Sequence, residues 1–154
     1  MFSYKMLIFK EQPILLMLMN AKDFFADGQI AKQKQIPILV MFSEPDCPYC
    51  ELVKREVLNS MSGLEEYKNK VIIRHVFYSS LMEIVDFSGR SSNHSQFSFI
   101  YGANFYPTLL LLDHTGKVLG KKIGVVLIET YWTELDALIA QATQQIKQQL
   151  KVNL

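Results

Sequence analysis

Cysteine is scarce in this chain: there are two among 154 residues, and both stand in one stretch, "PDCPYC" at 45–50. A disulfide-stapled domain spreads its cysteines to tie distant loops together, so that class is excluded. A bond closing so small a ring removes little freedom from the unfolded chain, and the pair is not a scaffold. An excess of one charge is missing too, because 16 basic and 15 acidic residues leave a formal net charge of +1. That argues against nucleic acid or an anionic membrane as the main partner. No apolar run reaches the length that spans a bilayer. Repeats and linkers are absent. The only compositionally odd stretches are "SGRSSNHS" at 88–95, read as a polar loop ending in a helix cap, and the glutamine-rich tail, read as the solvated face of a helix.

What is present is enough apolar content, 49%, for one ordinary core. The chain divides into an N-terminal segment, 1–20, and a single domain, 21–154. In the segment, Lys5 and Lys10 precede an apolar "PILLMLM" and then Ala21, a faint likeness to a secretory signal, although Glu11 is out of place there. An extra strand or helix packed on the domain is the competing reading. Residues 21–35 pattern as a short amphipathic helix with a weak point at Gly28. "IPILVMFS" (36–43) reads as a strand buried on both faces. From Pro48, Leu52, Val53, Val57 and Met61 recur at helical spacing, and residues 70–78 form the next strand. A helix from about Asn93 to Tyr101 stops at Gly102. "PTLLLLD" and "KVLGKKIG" flank the turn "HTG" as an antiparallel hairpin. Tyr131, Leu135, Leu138, Ala142 and Ile146 then mark one face of a long last helix. This order predicts an α/β fold, a central mixed sheet with helices on both faces and a C-terminal hairpin followed by the long helix.

The cysteines therefore sit where a strand hands over to a helix. A thiol is nucleophilic only as the thiolate, which needs positive potential nearby. With Cys47 at the helix cap, the amides of Tyr49 and Cys50 and the positive end of the helix face its sulfur. Pro48 suits the first helical position, where the amide it lacks would be unpaired. Cys47, the outer residue, is expected to attack or be attacked by a partner, and Cys50, one turn in, to resolve the mixed disulfide. Two other readings of the pair stand beside this one. A zinc site would need a second CxxC or a close histidine pair, and His75, His94 and His114 are scattered. A cluster shared between two copies is compatible with the spacing.

CxxC beside a βαβ pattern resembles the thioredoxin-like superfamily. "FYPTLLLLDHTGKVLGKKIG" is similar to the segment of that family in which a cis-proline opens the hairpin, and the likeness runs from about Ala21 to Leu150. The resemblance implies a thioredoxin fold with Pro107 as the cis-proline facing the cysteines. It implies that the Tyr106 backbone pairs with an extended partner and that Gly124 closes the second hairpin strand. "VMFSEPDCPYCELVKREVL" and "YWTELDALIAQA" also resemble small exported bacterial thioredoxin-like proteins. That implies a protein thiol:disulfide oxidoreductase, more a reductase than an oxidant, located in the periplasm, with the cytoplasm as the alternative. Its partners would be protein thiols and disulfides and a membrane thiol electron donor. No cofactor beyond the Cys47–Cys50 disulfide is implied, and a monomer is favoured. The rival function is a non-catalytic binding module of the same fold, holding a metal or iron-sulfur cluster between subunits.

Two departures from the family matter. The Pro-Tyr dipeptide is that of glutaredoxins, yet "YPT" replaces their Thr-Val-Pro and their Gly-Gly-acid hairpin is missing, which speaks against glutathione chemistry. Met41 stands where thioredoxins keep a buried aspartate that helps move the proton of the second cysteine. Glu44 is the nearest carboxylate in sequence and reads as a solvated residue. Tyr49, Tyr106 and Phe105 are candidates for an apolar docking rim. Trp132 reads as core, Asp86, Arg90 and His94 as a solvated loop, and His114 as an exposed turn residue.

Overall fold

A computed structural model describes residues 17–153. The signal-like reading of the N-terminal segment falls almost wholly outside them. Helix α1 (Phe24–Lys34) is capped by the Asp23 side chain, which accepts a hydrogen bond from Ala26 N, and ends at Gln35 in the left-handed region. Strand β1 (Ile38–Ser43) is buried at every position. Helix α2 (Pro48–Val53) runs into a π-helical turn, Lys54–Leu58, and then α3 (Asn59–Gly63). Strand β2 (Ile72–Phe77) is followed by a short hairpin, β3 (Glu83–Val85) and β4 (Ser91–Asn93), and by α4 (His94–Ile100). Strands β5 (Thr108–Leu112) and β6 (Val118–Ile123) precede the long α5 (Ile128–Val152).

The four-stranded sheet has the order β2-β1-β5-β6. β1 pairs with β2 in parallel, while β5 runs antiparallel to both β1 and β6. Continuous apolar runs in β1 and β5 follow from this, because both faces of these central strands are covered. β6 is an edge and alternates in exposure, with Lys121 and Lys122 discouraging further strand addition. Outside β2, Asn20 makes a single parallel bridge to His75.

Two cores sandwich the sheet. On one face Phe24 and Ala31 of α1 and Phe97 of α4 meet Ile38, Val40, Phe42 and Leu110. On the other, Cys50, Val53 and Met61 meet Leu39, Met41, Leu109 and Leu111, closed off by Tyr131, Leu135, Ile139 and Ala142 of α5. The mixed α/β architecture with helices on both faces and the long terminal helix is the expected one. Four local readings change. Gly28 is no weak point, since a Cβ there would lie 2.7 Å from the backbone oxygen of His114, so glycine lets α1 approach the hairpin turn. Ile139 carries the buried face of α5 where Leu138 was expected, and Leu138 packs only at the margin. Trp132 is half-buried, its Nε1–H donating to the Tyr67 hydroxyl at 3.0 Å, a polar end that must be satisfied. His94 is fully buried rather than in a solvated loop. Phe77 N donates to its Nδ1 at 3.1 Å and its Nε2–H donates to Ala21 O at 2.9 Å, which fixes the neutral tautomer.

Candidate active site

Strand β1 delivers the chain to the site and α2 starts it. Cys47 is the N-cap of α2 with extended backbone, and its Sγ accepts a hydrogen bond from Cys50 N–H at 3.2 Å. Pro48 occupies the first turn. Cys47 and Cys50 are joined as a disulfide with Cα atoms 5.2 Å apart. Ideal helical geometry would hold such a pair too far apart, so the non-helical cap residue is what lets the bond close. Cys47 is half-buried and Cys50 is 1% exposed, so the outer residue of the pair is the more accessible and the inner one is shielded. Asp46, directly before the pair, has φ +59°, a left-handed turn that swings the chain into the helix and that aspartate tolerates better than most residues.

The opposite wall comes from the start of β5. The Tyr106–Pro107 peptide bond is cis. Gly124, at φ +68°, donates its N–H to Pro107 O at 2.8 Å and so ties the end of the hairpin to the proline loop. Tyr106 packs with Cys47 against the same core and donates its hydroxyl to Ala103 O at 2.9 Å. Burial, with Tyr78 and Glu44 nearby, pushes the Tyr106 hydroxyl up to about 12, so it is a neutral donor at any working pH. Its ring lies 5.5 Å from that of Tyr78, a neighbour that no motif or periodicity marks. Tyr49 and Phe105 project outward, 59% and 69% exposed.

Glu44 departs from the solvated reading. One carboxylate oxygen accepts from Ser79 Oγ at 2.9 Å and the other is buried. Beneath α2, Met41 is fully buried in the cluster that holds Cys50, and its register partner on β2 is His75. His75 lies within hydrogen-bonding reach of Ser43 Oγ at 2.5 Å through Nε2 and of Asn20 Oδ1 at 3.2 Å through Nδ1. With the asparagine oxygen facing it, Nδ1 carries the proton and Nε2 accepts from the serine. Burial first, and the charge of Lys54 with the neighbouring His94 second, hold its pKa down to about 3. Ser43, His75 and Asn20 thus form a row of neutral polar groups beside Met41. Only the strand register, which brings His75 beside Met41, could have revealed it from sequence. His114 and Asp86 lie away from this constellation, and Asp86 serves its own loop by accepting from Ser88 N and Arg90 N. Among the described residues no group of three His, Cys, Asp or Glu side chains converges as a metal-holding set, and no helix is long and apolar enough to cross a membrane.

The family model described as a thioredoxin-like domain matches residues 24–139. No curated protein matches the sequence at a significant level. Among solved structures, thioredoxin NaTrxh from Nicotiana alata superposes with a TM-score of 0.51 at 21% identity, covering 81% of this chain and 94% of that one. Trxlp from Edwardsiella tarda gives 0.51 at 17% identity, with 71% and 91% covered. The periplasmic thioredoxin SoxS from Paracoccus pantotrophus gives 0.48 at 19% identity, with 69% and 98% covered. For the two with TM-scores of 0.51, the likeness at such identities speaks to the fold alone.

Proposed function

The chain belongs to the thioredoxin-like family and is a thiol:disulfide oxidoreductase, and from that premise we propose that it reduces protein disulfides in the bacterial periplasm. The observation that carries the reading is the asymmetry of the pair. Cys47 is a partly exposed N-cap whose sulfur receives the Cys50 amide, while Cys50 is buried one turn behind it.

Starting from the dithiol, the Cys47 thiolate attacks one sulfur of a partner disulfide. A bond forms between Cys47 and that sulfur, and the partner's other sulfur leaves as a thiolate and takes a proton. Cys50 then loses its proton and attacks Cys47 Sγ, closing the intramolecular disulfide and releasing the second partner thiol. Two electrons pass to the partner, and the oxidised pair seen here is the product state. The Cys50 amide and the helix end stabilise the attacking thiolate. Pro48 and Pro107 shape the two walls around the sulfur, and the Tyr106 backbone, with Tyr49 above, receives an extended partner. Return to the dithiol requires a dithiol donor, for which a membrane thiol transporter is the proposed class. The periplasmic assignment draws on the resemblance of the cysteine, proline and C-terminal segments to exported family members.

Insulin reduction with dithiothreitol as the donor tests the chemistry. Cys47→Ser abolishes it, and Cys50→Ser accumulates a mixed disulfide visible by mass under non-reducing conditions. Undiminished turnover by the Cys47 variant would refute the assignment of roles.

A further inference from the structure

The loop between β1 and α2 holds a carboxylate to which the exchange steps above give no task. Glu44 directly follows β1 and stands three residues before Cys47. Three peptide steps span at most about 11 Å between the two Cα atoms. The turn at Pro45 and Asp46, where Asp46 takes φ +59°, brings them closer than that limit. The side chain is tied on one side only. Tyr78 N–H donates to Ser43 O at 3.0 Å, which sets the end of β2 against the end of β1, and Ser79 Oγ donates to Glu44 Oε2 at 2.9 Å. Oε1 is buried, and among the described residues no donor reaches it. Nor does any Lys, Arg or His among the described residues form an ion pair with this carboxylate.

A buried acceptor left without a donor is unfavourable, and keeping one this close to the reacting sulfur points to a part in the chemistry. Electrostatics decides which part. A charge needs no contact to act over several ångströms, and it acts more strongly where one side of it is shut off from water. The field of this carboxylate crosses the cleft: burial first, then Tyr78, and then Glu44 push the Tyr106 hydroxyl up to about 12. Tyr106 and Cys47 border the same core cluster. The other groups around Cys47 do not cancel this field. Asp46 is exposed, Glu51 is exposed and paired with Lys54 at 2.8 Å, and the facing residues Tyr78, Ser79 and Tyr106 bring no cation. We infer that Glu44 is a positioning residue that acts through Cys47, its half-buried, unneutralised carboxylate opposing the Cys47 thiolate and so keeping the pair reducing. This rests on the exchange reading above. When Cys47 attacks, its negative charge passes to the departing sulfur of the partner, and relief of the repulsion favours that forward step.

The test is Glu44→Gln in the full chain, because glutamine loses the charge while its amide oxygen still accepts from Ser79. Alkylation of the reduced protein by iodoacetamide is followed at Cys47 by peptide mass. At about pH 5.5 the variant reacts about five- to tenfold faster than wild type, since more of Cys47 is thiolate. At about pH 9.5, where both are thiolate, the two rates agree within about twofold. Equilibration against glutathione moves about tenfold toward the dithiol in the variant. At about 1 M salt the effect outlasts that of Asp46→Asn, whose charge is exposed. Ser79→Ala leaves the charge but frees it to turn toward water, and it raises the low-pH rate by less. Equal low-pH rates for Glu44→Gln and wild type would overturn the inference. So would a rate raised equally at both pH values, because the substitution would then only open access to the sulfur. If Glu44→Gln loses its far-UV signal, Ser79→Ala decides, and an unchanged low-pH rate rejects the role. Insulin reduction that survives Cys47→Ser sinks the exchange reading by itself, and the alkylation comparison does not depend on that result.

Discussion

At the scale of single residues, Cys47 sits in opposed fields. The end of α2 and the Cys50 amide favour its thiolate, whereas the carboxylates of Asp46 and Glu51 flank it in sequence and disfavour added negative charge. Glu51 is partly offset by Lys54, at 2.8 Å. Strongly oxidising members of this chemistry owe their potential to a stabilised reduced form, so flanking carboxylates push the pair toward the reducing end. His75 supplies a second prediction at this scale. Its pKa is held near 3 in the fold, below the ordinary 6.5, so the unfolded chain binds the proton more readily. The stabilisation is whole above pH 6.5 and is lost progressively as pH falls from 6.5 toward 3. By pH 5 the loss is about 2 kcal/mol. His94, lowered chiefly by burial, acts in the same direction. Urea midpoints should therefore drop markedly between pH 7 and pH 5, and a flat profile would show that His75 is not held neutral.

At the scale of elements, local rules explain what could be read in advance. Cap chemistry, a proline in the first turn and a run of apolar residues place Cys47 at the junction of β1 and α2 from sequence alone. Turn chemistry does the same for the hairpin of β5 and β6, where Gly116 takes φ +90°. The segment before α4 is different. "SGRSSNHS" looks like a solvated loop because its one decisive side chain, His94, finds its partners in Ala21 and Phe77, which are remote in sequence. The β3–β4 hairpin is invisible to periodicity for a different reason: its strands are three residues each, too short to show an alternation. Gly28 shows a propensity argument reversed by packing. In an isolated helix Gly28→Ala would gain about 0.5–1 kcal/mol. Here the new Cβ meets a backbone oxygen that has no free rotamer to move, at 2.7 Å. Thermal denaturation should show the variant less stable than wild type, and a rise in Tm would contradict the close approach.

At the scale of the whole molecule, the sheet separates two jobs. One face packs α1 and α4 around the aromatic stack of Phe24 and Phe97, whose ring centroids are 4.5 Å apart, and gives the domain a rigid back. The other face carries α2 and the disulfide, with Met41 and the neutral His75 as its floor. The bidentate pair of Arg74 and Asp27, at 2.8 and 2.7 Å, fastens α1 to β2 at the side of the sheet. The chemistry is thus held on a fixed frame, with the α2 cap following the central strand β1 and the Pro107 loop leading into its neighbour β5. The proposed reductase role requires that the pair hold its electrons weakly enough to give them up to ordinary protein disulfides. The reduction potential of the Cys47–Cys50 pair, measured by equilibration against defined thiol buffers and counting of free thiols by mass after alkylation, tests this most directly. A reductase is expected to show a value at or below about −230 mV, and a value near about −120 mV would contradict that role and mark a donor of disulfides instead.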